Sequence, residues 1–159
     1  LTVMKKIIIF FLFFMTSLSA DKVERLGFYN LQELLEDDNL TYKIIRSCVS
    51  LNSAITEITK EDHPGLSKSF FETANYLYPF GILTLSKIKK MSYKDVEKEY
   101  MAKVSSQTAN YMDFMKANGV ANQSFIKGTF IGDDLNFCNE IRSAIEITIS
   151  ETNKLKSKN

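Results

Sequence analysis

Apolar residues in this chain recur at intervals of three and four, and alternation at two is rare, so the pattern predicts a helical protein. Ile44, Cys48, Leu51, Ile55 and Ile58 are spaced four, three, four, three, which places all five on one stripe of a helix running from about Thr41 to Lys60. Upstream, residues 21–28 read as an extended lead. Leu31, Leu34 and Leu35 give a short amphipathic helix from Tyr29 to Asp37. Pro64 suits a first helical turn, because its missing N–H has no intrahelical partner there.

A second long segment, residues 65–90, carries Phe71, Ala74, Tyr78, Ile82, Leu85 and Ile88 on one side, with Leu66, Phe70 and Leu77 beside them. Pro79 inside this stripe forfeits the bond to the carbonyl of Asn75, which predicts a kink or two shorter helices. The next helix has readable ends at about 92 and 118. Ser92 is an N-cap, Asp95 sits three residues on, and Asn118-Gly119 offers a C-terminal cap with positive φ. Met101, Val104, Thr108, Tyr111 and Met115 form its seam. Residues 120–131 carry Phe125, Ile126, Phe130 and Ile131 around Gly128 and stay ambiguous. A last helix, capped by Asp133 or Asp134, shows Leu135, Cys138, Ile141, Ile145 and Ile149 on one face. The expected fold is an all-α, four-helix-type bundle with one kinked helix, a single domain over residues 21–152 and a disordered basic tail at 153–159.

The first twenty residues follow another rule. Lys5 and Lys6 precede the run from Ile7 to Met15, and small residues lead to Ala20 and Asp21, the layout of a secretory signal peptide. That run is shorter than the roughly 20 residues a bilayer-spanning helix requires. Cleavage is expected after Ala20, with Ser19 as the alternative, and Leu1 to Val3 read as an over-extended start before Met4. Export leaves 139 residues and turns a formal charge of +1 into −1, because Lys5 and Lys6 leave with the segment and no acid does. The expected product is exported, periplasmic or secreted, with no membrane span.

Compartment changes the meaning of the two cysteines. In an oxidising space, Cys48 and Cys138 on inward stripes of separate helices predict a disulfide that ties the first long helix to the last. The same spacing lacks the Cys-x-x-Cys of redox and covalent haem motifs and the clustered ligands of structural zinc. One His, His63, in a turn beside Pro64, leaves little from which to assemble acid-base or metal chemistry. Met101, Met112 and Met115 share a helical face and read as core rather than as a copper site. Glu36-Asp37-Asp38 and Asp133-Asp134 read as helix-end groups. Near-neutral, interspersed charge gives no basic face for nucleic acid. No phosphate-binding glycine loop and no Gly-x-Ser-x-Gly occur.

What remains is aromatic. Phe71, Tyr76, Tyr78 and Phe80 gather around Pro79, where a kinked helix packs poorly along its length, so these five residues are the candidate binding site. The expected function is a non-catalytic exported binding or interaction protein, holding a protein partner or an envelope component, with no cofactor and no metal. The alternative is a carrier of an apolar small molecule or noncovalent haem in the bundle interior.

Overall fold

In a computed structural model that describes residues 23–157, five helices follow one another: α1 (Leu31–Glu36), α2 (Asp38–Thr59), α3 (Pro64–Lys89), α4 (Tyr93–Asn122) and α5 (Ile131–Lys156). Among the described residues there is no strand, and none of the helices is long and apolar enough to cross a membrane. The export segment expected over residues 1–20 lies outside the described residues.

Helix α2 is the central element. The expected stripe is buried at Ile44, Cys48, Leu51 and Ile55, and Tyr42, Ile45, Val49 and Ala54 are buried on other sides. Three of its polar residues, Ser47, Ser50 and Asn52, are buried too, and each finds a partner. Asn52 Nδ2 donates to the Cys48 carbonyl at 2.8 Å and Ser50 Oγ to the Val104 carbonyl at 3.3 Å. A buried hydroxyl or amide bonded in this way avoids the desolvation penalty of an unmade bond. Asp37 caps the helix, accepting from the Asn39 N–H at 2.8 Å, and Asp38 pairs with Lys87 at 2.8 Å.

Most interhelical packing joins α2 to α3 and then to α4. Helix α3 starts at Pro64 as expected, but it runs unbroken through Pro79, so the reading of two shorter helices is corrected. Phe71 and Leu66 are exposed rather than on the core stripe, which instead holds Ala74, Leu77, Gly81, Ile82 and Leu85. Helix α4 begins at the expected Ser92 cap, with Ser92 Oγ accepting from the Asp95 N–H at 3.3 Å. It continues past Gly119 to Asn122, and the positive φ falls on Gln123. Gly119 serves close approach instead of a turn: a Cβ there would lie 2.8 Å from the Phe125 ring. The inward seam of α4 runs through Val96, Tyr100, Val104, Tyr111 and Met115, leaving Met101 exposed.

Helix α5 lies against this three-helix core along its first half only. Cys138 is bonded to Cys48, with an S–S distance of 2.04 Å and Cα atoms 5.4 Å apart. Phe137 and Ile141 are buried beside the bond, whereas Ile149, on the same expected face, is exposed. The tail expected to be disordered from residue 153 is helical to Lys156. Lys154 and Lys156 complement the negative end of the helix, and Ser157 closes it by bonding the carbonyls of Asn153 and Lys154.

Gly81 and Tyr100 show how tightly α3 and α4 meet. A Cβ on Gly81 would fall inside the phenol of Tyr100, which is fully buried. Overpacking of this kind costs about 1–3 kcal/mol. Gly81→Ala should therefore lower the unfolding free energy by about 2–3 kcal/mol in urea titrations. Gly65→Ala, where nothing lies within 4 Å of the added carbon, should leave it within about 0.5 kcal/mol.

Candidate functional site

The sequence-predicted site residues do not converge on one pocket. Successive residues of α3 turn by about 100°, which separates Tyr76 and Phe80 from Tyr78. Tyr76 and Phe80 lie side by side, ring centroids 5.7 Å apart, on the flank facing α5. Tyr78 turns toward α4 and meets Tyr100 edge-on at 5.2 Å, and burial, ahead of the charges of Glu97 and Tyr93, raises the pKa of its phenol. Pro79 is half-buried between them. Phe71, 53% exposed, lines a separate shallow groove with Thr56, Val104 and Met112. Met112 is half-buried and Met115 fully buried, so with Met101 outside the core the three thioethers share no site.

Tyr76 alone of the five borders an open groove of about 550 Å³ whose other wall is the end of α5: Glu146, Ile149, Ser150, Asn153 and Lys154. Those residues stand at i, i+3, i+4, i+7 and i+8, so one helix face lines the groove. Every residue of α5 from Glu146 onward is exposed. The point where α5 leaves the core is fixed by Arg142. Its Nη1 donates to Thr73 Oγ1 at 2.9 Å, its Nε to Glu146 at 2.8 Å, and its guanidinium lies 5.2 Å from the Tyr76 ring centre. Thr73, Arg142 and Glu146 were not singled out from the sequence. A signal existed: the chain has only three arginines (Arg25, Arg46, Arg142) among its 20 basic residues, and each stands over an aromatic ring. A planar guanidinium stacks and forks in a way that Lys cannot.

The carboxylates at the start of α5 do not cap it; Thr129 Oγ1 accepts from the Ile131 N–H at 3.2 Å instead. Asp134 is fully buried and reaches across to the chain before α1, where Oδ1 accepts from the N–H groups of Leu26 at 2.8 Å and Gly27 at 3.0 Å. Beside it Asp133 pairs with Arg25 at 2.8 Å. These contacts strap residues 25–27 to the first turn of α5, with Leu26 fully buried. Burial is the main force on the Asp134 carboxyl and pushes it up to about 6, against the two N–H bonds and the Arg25 charge, which lower it; Asp133 raises it further. The nearby Tyr111 phenol is raised by its own burial and by the Asp134 charge.

Two other candidates offer little to a substrate. His63 is exposed at the start of α3, and both cysteines are bonded. Among the described residues no group of three or more His, Cys, Asp or Glu side chains is placed to hold a metal ion.

The raised carboxyl has a signed consequence. Between pH 4 and 6 folded Asp134 keeps a proton that the unfolded chain has released, so the stability it contributes is lost as pH rises through that window. Glu24 and Glu99, held below the usual carboxylate range by Lys43 and by Lys89 with Lys103, act in the opposite sense, losing their contribution as pH falls below about 4.5. Denaturant titrations should show Asp134→Asn, which keeps an acceptor for Leu26 and Gly27, flattening a slope on the order of 2 kcal/mol between pH 4 and 6. Equal slopes in the two proteins would contradict the assignment.

Comparison of the chain with protein-family models, curated proteins and solved structures finds no match to any of them.

Proposed function

We propose that this is an exported, non-catalytic binding protein of the cell envelope, and that it engages its partner at the free end of α5. The observation that carries the reading is the projection of that helix. From Glu146 to Lys156 it extends about 16 Å, at 1.5 Å per residue, with no residue sheltered by the core and with Ile147, Ile149 and Leu155 exposed. An isolated helix of that length is marginal in water. Here the continuous helix and the Arg142 anchor hold it out in advance, which reduces the ordering cost of binding.

Further support comes from the disulfide, which belongs to oxidising compartments, and from the state of the titratable groups. The most perturbed carboxyl is sealed under Leu26 and Gly27, where no substrate reaches it. The carrier reading requires interior space, and the interior is filled by Leu77, Tyr100, Tyr111, Met115 and the disulfide itself. His63, the chain's single histidine, stands at the surface.

A photoreactive amino acid placed at Ile149 should give a discrete adduct in the native envelope, whereas the same group at Lys94, exposed at the start of α4, should not. The partner so identified, once purified, should bind Ile149→Asp at least tenfold more weakly, with no change in melting temperature. Adducts of the same pattern at both positions, or unchanged affinity of Ile149→Asp, would contradict the proposal.

A further inference from the structure

The three arginines are not equivalent. Arg25 is paired with Asp133 and Arg142 with Glu146, but among the described residues Arg46 has no carboxylate within ion-pair distance. Arg46 is half-buried on α2 and is held from two sides. Its Nε donates to Gln107 Oε1 at 3.0 Å, Gln107 Nε2 donates in turn to the buried Ser47 Oγ at 2.8 Å, and the guanidinium lies 5.4 Å from the centre of the Tyr42 ring. This relay and the ring fix the plane of the guanidinium. Among the described residues its bonded group is Nε, and no ion pair engages the Nη groups, which together can bind two oxygens at once.

Arg46 borders a pocket of about 200 Å³ between α2 and α4, which Lys103, Ser106 and Gln107 also line. Lys103, Ser106 and Gln107 stand at i, i+3 and i+4 of α4 and so share one face. Lys103 is also drawn to Tyr42, its Nζ 5.9 Å from the ring centre. Two cations therefore flank one aromatic ring, and only Lys103 has an acid nearby, Glu99 at 3.1 Å, which Lys89 shares. Both cationic side chains line the same pocket, so an anion seated there is attracted by both.

We infer that this pocket is a binding site for a tetrahedral oxyanion of the phosphate or sulfate type, free or as a small monoester. The Arg46 Nη pair takes two oxygens, Lys103 Nζ a third, and Ser106 is within the same lining, so the donors come from two helices. A carboxylate has only two oxygens and leaves the third donor unused. Gln107 acts as a positioning residue, since both ends of its amide are engaged with Arg46 and Ser47. The site lies between α2 and α4, away from the α5 groove, and does not depend on the proposed partner.

The test is titration of the full exported chain with inorganic phosphate, glycerol phosphate, sulfate and acetate at matched ionic strength in chloride, following the Arg46 Nε–H and Gln107 side-chain amide signals by NMR. Saturable shifts at both groups are expected with phosphate or sulfate. Acetate should bind at least tenfold more weakly. A glycerol phosphate affinity above that of inorganic phosphate identifies a monoester as the ligand, and the reverse order identifies the free ion. Arg46→Gln should weaken phosphate binding at least tenfold. Arg46→Lys, which keeps the charge but loses the fork, should weaken it about threefold, a grading that a folding defect does not produce. Absence of saturation, acetate binding equal to phosphate, or equal affinity in Arg46→Gln would overturn the site.

Discussion

The bond between Cys48 and Cys138 is the constraint on which the remaining architecture depends. Helices α2, α3 and α4 form a core with extensive mutual packing, whereas α5 touches it over half its length. Burial of Ile131, Phe137 and Ile141 contributes about 2 kcal/mol each before the ordering of α5 is set against it. Closing a loop of this separation contributes roughly 4 kcal/mol in the chain-entropy account. The disulfide is thus of the same order as the burial of these three side chains. It also explains the place of the strap before α1. Asp134 can grip the backbone of Leu26 and Gly27 only while α5 is seated, so the lead before α1 is secured together with the first turn of α5.

A second constraint is close approach within the core. Gly81 admits the Tyr100 phenol and Gly119 admits the Phe125 ring, so in both places the missing side chain, not backbone freedom, is what the fold uses. Polar side chains around α2 then fix neighbours at short range: Ser50 to Val104, Ser47 to Gln107, Gln107 to Arg46. A rigid α2–α4 seam holds the oxyanion pocket in shape, and the anchored exit of α5 presents the groove beside Tyr76. These two surfaces lie on different pairs of helices and impose no geometry on each other.

Much of this was legible in the sequence, for physical reasons. The stripe from Ile44 to Ile55, the Ser92 cap, the break at Pro64 and the cysteine pairing each follow from spacing or from one residue's chemistry. The differences share a cause. Pro79 did not break α3, because flanking apolar positions keep both halves packed against α2 and one lost bond is outweighed. Gly119 looked like a cap, since its role depends on Phe125, six residues away and folded back. The aromatic cluster looked like one site, although the turn of the helix sends Tyr78 to α4 and Tyr76 to α5. The buried Asp134 and the unpaired Arg46 depend on partners far along the chain, and only the rarity of arginine hinted at them.

The dependence of α5 on the disulfide for its seat against the other three helices is tested by amide hydrogen exchange before and after reduction under native conditions, with loss of the bond confirmed by mass. The account predicts that reduction strips protection from the α5 stretch 131–145 and from Leu26 and Gly27, while the centres of α2, α3 and α4 keep theirs. Protection lost equally throughout the chain, or retained in α5, would contradict it.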